Sequence, residues 1–153
     1  MTRDELLKTK LSGNILIIGG PATGKTTLSK QLSENLQYHT VIHTDTFMAR
    51  GYEQGLYDIL DHLKTIQGPT LIEGVQGFRL LRKGAQLGSY YPDMVIDVET
   101  SQKNIERTYN TERDPAKLPY LKGMKRANQK ILNDYRQINN PKPPVWLEVW
   151  NDF

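Results

Sequence analysis

The chain contains no cysteine. That absence excludes a disulfide framework, a thiolate metal site and a cysteine nucleophile. Long apolar runs are missing too: the longest, Ile15-Leu16-Ile17-Ile18, has the length of a strand, far short of the roughly 20 residues that span a bilayer. Histidine is scarce. His39, His43 and His62 have no carboxylate or imidazole company at ligand spacing, so they read as structural or solvated side chains. Net charge is small, with 20 Lys and Arg against 17 Asp and Glu, and a surplus of +3 does not by itself argue for a nucleic-acid partner. The start, Met1-Thr2-Arg3-Asp4-Glu5, lacks the charged-then-apolar layout of a secretion signal, and a cytoplasmic location is the expectation. The length of 153 residues suits one domain, 1–153.

What is present is an alternation of two periods. Asn14–Ile18 is a continuous β-branched and leucine run, the pattern of a strand buried on both faces. Leu28, Leu32 and Leu36 then recur at every fourth position through a helix over 24–36. His39–His43 predicts a second strand and 55–67 an apolar-striped helix. After the break at Gly68-Pro69, strands are expected at 70–72, 94–98 and 145–149. Helices are expected at 78–87, from Thr100 or Ser101 through Tyr109, and over 121–138. Prolines 115 and 119 oppose helix, so 113–119 reads as a loop. Strands alternating with helices of ten to fifteen residues argue for α/β architecture: a three-layer α/β/α domain around a mostly parallel five-stranded sheet.

Between the first strand and first long helix stands Gly19-Gly20-Pro21-Ala22-Thr23-Gly24-Lys25-Thr26, followed by Thr27. It fits Gly-x-x-x-x-Gly-Lys-[Ser/Thr] in full, in the strand–loop–helix context the motif needs. Glycines at 19 and 24 let successive N–H groups converge on phosphate oxygens, and the helix N-terminus adds partial positive charge. Lys25 is placed to reach the terminal phosphates and the Thr26 hydroxyl to ligate Mg²⁺, so ATP–Mg²⁺ is the expected cofactor. A guanine-reading Asn-Lys-x-Asp motif is missing, which weighs against a GTPase.

Three further stretches resemble the P-loop kinase group that includes uridine kinase-like and polynucleotide kinase-like enzymes. Asp45-Thr46-Phe47-Met48 follows the second strand and is similar to the Asp-Ser-Phe-Tyr stretch of the uridine kinase-like enzymes. The resemblance implies that Asp45 takes the proton from the acceptor hydroxyl, and Asp45 is also expected, with Thr26 and Glu73, among the residues that hold the metal. Leu71-Ile72-Glu73-Gly74 is similar to the third strand of uridine kinase-like and phosphoribulokinase-like proteins, which implies a role for Glu73 on Mg²⁺ or on the substrate. Arg113-Asp114 resembles the Arg-Asp pair of the uridine kinase-like lid, whose further Arg has no counterpart here. By that resemblance a lid occupies roughly 107–119, with Arg107 and Arg113 closing on the phosphates.

The acceptor is expected to meet the segments after Asp45 and Glu73. Phe47 is placed to stack, Gln76 to hydrogen-bond a base edge and Arg79 to contact an anionic group, with Arg82 and Lys83 as a further basic rim. Phe47 reads equally well as core, and the basic residues as a solvated helix face. Two kinase readings follow: transfer to a nucleoside-like small molecule, or to a DNA or RNA hydroxyl. The second draws on residues 103–142, which hold ten Lys and Arg against four Asp and Glu, near Tyr109, Tyr120, Tyr135, Trp146 and Trp150. A non-kinase ATPase switch is the third reading. Oligomeric state is left open.

Overall fold

The computed structural model describes residues 1–152. Short helix α1 (Arg3–Leu7) precedes β1 (Ile15–Ile18), α2 (Lys25–Asn35) and β2 (Thr40–His43). A 3-10 segment, Thr44–Arg50, leads into α3 (Tyr52–Leu63). Then come β3 (Thr70–Glu73), α4 (Gly77–Leu87), β4 (Met94–Glu99), α5 (Gln102–Thr111), a second 3-10 segment (Pro115–Tyr120), α6 (Leu121–Arg136) and β5 (Val145–Trp150). The strands form one sheet in the order β2-β3-β1-β4-β5. Every pairing is parallel, so the expected α/β/α architecture stands with a fully parallel sheet.

Parallel strands need crossover helices, which cover both faces of the sheet and bury its central strands. β1 shows the result: all four of its residues are buried, with Leu16 and Ile18 on one face and Ile15 and Ile17 on the other. Against the first face pack Leu56, Ile59 and Leu60 of α3, Phe78, Leu80 and Leu81 of α4, and Ile131, Leu132 and Tyr135 of α6. Leu6 of α1 and Leu28 and Leu32 of α2 cover the second. Each such side chain contributes roughly 1.5–3 kcal/mol by leaving water. At the amino ends of the strands, Asn14 ties the sheet together. Its Oδ1 accepts from Thr70 N at 2.9 Å and its N–H donates to Asp93 Oδ2 at 2.7 Å.

Helix ends follow local chemistry. The Ser101 hydroxyl accepts from Asn104 N and caps α5, while α4 stops at Gly88, whose φ of 65° is left-handed. The proline-bounded stretch is a 3-10 turn rather than open loop: Pro115 sits in its first turn and the Asp114 carboxylate accepts from Ala116 N. On the α3/α4/α6 face, Lys83 pairs with Glu53 at 2.6 Å and Arg82 with Asp134 at 2.9 Å. These two cations therefore tie helices together and do not form a free basic rim. Among the described residues no helix is long and apolar enough to cross a membrane.

Candidate active site

The carboxyl ends of β3, β1 and β4 lie side by side, and the chain leaving β1 makes the phosphate-binding loop there. In an open parallel sheet this edge is where ligands sit. Gly24 is the N-cap of α2 with φ 84°, a left-handed conformation that glycine adopts without cost. Gly19 is needed for a different reason: a Cβ there would lie 2.7 Å from Val98 O and 2.8 Å from Thr23 Oγ1. Ala22 takes φ 62°, an uncommon value for a residue with a side chain, and is buried with Thr23. Gly20 and Pro21 form the outer rim, half-buried.

Lys25 opens α2 and is 6% exposed. Its ammonium donates to Gly20 O at 2.6 Å and lies 3.4 Å from Thr23 Oγ1, so the loop folds around its own cation. Burial pulls the Lys25 pKa down to about 8, against the raising influence of Glu73 and Asp45, while the Arg113 charge lowers it further. Glu73, at the end of β3 and 4% exposed, places Oε1 3.4 Å from Thr26 Oγ1. Asp45 is exposed in the 3-10 segment after β2. Thr27 is an exposed residue of α2's first turn.

The oxygen pair of Thr26 and Glu73 suits a hard cation such as Mg²⁺, which takes one or two protein ligands and fills its remaining positions with water and phosphate. Among the described residues no group of three His, Asp or Glu side chains is arranged to hold an ion unaided.

Two residues of this site carry no signal in the sequence. His43, read as structural or solvated, lies beside Glu73 in the β2–β3 register, and its Nδ1 is 2.5 Å from Glu73 Oε1. Asn151, 2% exposed just beyond β5, donates from Nδ2 to Thr23 O at 2.9 Å and braces the loop from behind. A third contact is steric. A Cβ on Gly74, whose φ is 148°, would collide with Oγ1 of the fully buried Thr44, so the turns leaving β2 and β3 touch.

Arg113 follows α5, with its guanidinium 5.5 Å from the centre of the Tyr109 ring. Arg107 is exposed on α5. The expected acceptor residues lie on the β2/β3 side of the loop. Phe47 is half-buried with its ring 5.5 Å from that of His62. Arg79 bonds Gln76 Oε1 at 3.2 Å and stacks over Tyr52. A cavity of about 940 Å³ opens on the other side, between Gly19–Thr23, the end of β4, α5 and α6. Its volume falls within the usual range of small-molecule sites, about 300–1,000 Å³. Lys122, Lys125, Asn128 and Gln129 of α6 line one wall, and Asp97, Glu99 and Glu106 bring opposite charge. Phe47, Gln76 and Arg79 do not reach it.

Of the aromatic residues near the basic stretch, Tyr109 and Tyr135 are buried. Trp146 packs against Tyr135 and beneath Arg136. Only Tyr120 and Trp150 are exposed, and five rings are not presented as one stacking platform.

No protein-family model and no curated protein matches the chain. Solved structures do. Shikimate kinase from Acinetobacter baumannii superposes over 94% of this chain and 84% of its own, with TM-score 0.51 and 17% identity. A gluconokinase from Sinorhizobium meliloti 1021 gives 93%, 84%, 0.50 and 14% in the same order. A possible uridine kinase from Bacillus stearothermophilus gives 95%, 96%, 0.50 and 18%. At such identities the likeness establishes the fold, which is the one these P-loop kinases share.

Proposed function

We propose that the chain is an ATP-dependent kinase that transfers the γ-phosphoryl group to a hydroxyl of a small molecule. The observation that carries this reading is the loop folded around the buried Lys25 ammonium, with the buried Glu73 carboxylate 3.4 Å from the Thr26 hydroxyl. A nucleotide switch needs the loop and the metal arm, whereas an additional carboxylate, here Asp45 in the 3-10 segment after β2, is what an alcohol acceptor requires. The kinase fold of the solved neighbours, whose names include shikimate, gluconate and uridine kinases, supports a small acceptor.

In this reading the loop amides and Lys25 grip the phosphates, exchanging the Lys25–Gly20 contact for phosphate oxygens. Thr26 and Glu73 would hold Mg²⁺, which would supply positive charge to offset that developing on the transferred group. Asp45 orients the acceptor hydroxyl and accepts its proton. Arg113, with Arg107, closes from the α5 side and stabilises charge on the equatorial oxygens. The rest of catalysis is positioning. The 940 Å³ cavity, on the side of the loop away from Asp45, offers room for the organic part of the donor, and its walls carry charges of both signs.

The test is transfer of label from γ-labelled ATP to nucleosides, shikimate, gluconate, 5′-hydroxyl oligonucleotides and water. Label on a small molecule, lost on Asp45→Asn by about 100-fold or more with nucleotide affinity retained, supports the reading. Label on oligonucleotides alone would move the acceptor class to nucleic acid. Label released only to water, unaffected by Asp45→Asn, would leave an ATPase.

A further inference from the structure

His43 has no place in the chemistry described so far, yet it makes one of the shortest polar contacts in the molecule. Its Nδ1 is 2.5 Å from Glu73 Oε1, the same oxygen that lies 3.4 Å from the Thr26 hydroxyl. β2 and β3 pair with His43 opposite Glu73, so the two side chains leave neighbouring strands in the same direction. An ionised carboxylate can only accept, so the bond needs its hydrogen on Nδ1, and the other ring nitrogen is left free. Nearly half of the His43 side chain is exposed, whereas the Glu73 side chain is almost wholly buried. The partner therefore adds little to the core. Its contribution is direction.

Direction matters because of Lys25. A buried carboxylate near a buried ammonium gains most by closing into an ion pair, and such a pair would withdraw both groups from phosphate and metal. Instead the Lys25 ammonium bonds Gly20 O and sits by Thr23, and Glu73 is turned to Thr26 and His43. Carboxylates that hold metals are commonly oriented by a hydrogen bond from a neighbouring side chain, and loss of that bond typically weakens metal affinity or activity about 10–100-fold.

We infer that His43 is a positioning residue: it holds the Glu73 carboxylate on the Thr26 side, so that the pair receives Mg²⁺ with the nucleotide and Lys25 stays available to phosphate. The inference rests on the proposed role of Glu73 and deepens it. No acceptor enters it, so it is tested without turnover.

The experiment is equilibrium binding of ADP by titration calorimetry, with and without Mg²⁺, to the wild type, His43→Leu and His43→Asn. The Asn side-chain nitrogen occupies nearly the position of Nδ1 and can donate in its place. The expected result is a Mg²⁺-dependent gain in ADP affinity that falls about 10–100-fold in His43→Leu and returns to within about threefold of wild type in His43→Asn, metal-free affinity being the same in all three. An unchanged gain in His43→Leu overturns the inference. So does a His43→Asn protein as poor as His43→Leu, or a parallel loss of metal-free affinity, which would mark a general prop of the loop. Should His43→Leu fail to fold, His43→Asn alone decides, with a loss beyond tenfold overturning. A wild type that binds ADP equally with and without Mg²⁺ also overturns it. A wild type that shows the gain yet transfers phosphate to nothing defeats the kinase reading and leaves this one standing.

Discussion

Asn151 Nδ2 donates a 2.9 Å hydrogen bond to the carbonyl of Thr23, joining the end of the described chain to the middle of the phosphate loop. The same residue's N–H donates to Glu99 O, so the brace is anchored on β4. Asn151→Ala removes a buried donor and leaves the Thr23 carbonyl unpaired, at a cost of about 1–3 kcal/mol. Asn151→Asp is nearly isosteric but sets a carboxylate against that carbonyl, and its loss exceeds that of the alanine variant. Urea unfolding and ADP titration on both variants check this. Equal effects would mean that shape rather than the donor matters.

In its proposed role Lys25 holds phosphate as a cation, and burial draws its pKa down to about 8. The charged form is lost as pH rises through that value, so affinity for a nucleotide declines above about pH 8 and is about tenfold weaker by pH 9. Bound phosphates raise the Lys25 pKa, so the complex takes up a proton on forming in this range. ADP titrations from pH 7 to 9.5 in buffers of different ionisation enthalpy measure both effects. In Lys25→Met the pH dependence vanishes with most of the affinity.

Gly74→Ala would place a methyl group 1.8 Å from Thr44 Oγ1 at a φ of 148°. Part of the cost is collision and part is backbone strain. The variant is expected to lose more than about 1 kcal/mol. Adding Thr44→Ala relieves the collision with the hydroxyl and recovers part, never all, of the loss. Thermal melts of the two single variants and the double variant separate the contributions.

Asp97 lies between β1 and β5 at the edge of the cavity. Burial, with Glu99 and Glu148 nearby, raises its pKa to about 6, opposed by Trp146 and Arg136. A carboxyl raised in the folded state contributes stability that is complete below its unfolded value near 4 and is lost as pH rises through about 6. Asp97→Asn therefore raises the melting temperature at pH 7.5 and flattens its change between pH 4 and 6. A variant that melts lower at pH 7.5 would show that the charged form is held by a favourable contact.

The phosphate loop was legible because its residues are contiguous and each type answers a local need: a left-handed cap at Gly24, a close approach at Gly19, a cation at the helix start. β1 was legible because burial on both faces leaves an unbroken apolar run, while the edge strands β2 and β5, only partly buried, showed as short β-branched and aromatic stretches between breaks. Helix α1 was not, since five residues with one fully buried leucine make no period. α3 begins at Tyr52, ahead of the expected 55, because Gly51 at φ 97° already turns the chain into it. His43 and Glu73 are 30 positions apart, and nothing in either segment announces that β2 and β3 are neighbours with those two residues in register. Asn151 depends on where β5 ends. The cavity is assembled from the loop, β4, α5 and α6, segments far apart in the chain, so no local pattern marks it.

The sheet order has a consequence for how the molecule comes into being. β1 is the first strand in the chain and the middle strand of the sheet: Ile15 pairs with Leu71 on one side and Met94 on the other. Both closures are long-range, the kind of contact that slows folding because loop entropy must be lost before pairing repays it. The phosphate grip hangs from the end of β1 and packs on Val98 and Asn151, so its geometry is complete only when β4 and the residues beyond β5 have arrived. The loop over residues 19–26 therefore takes its final shape late in folding.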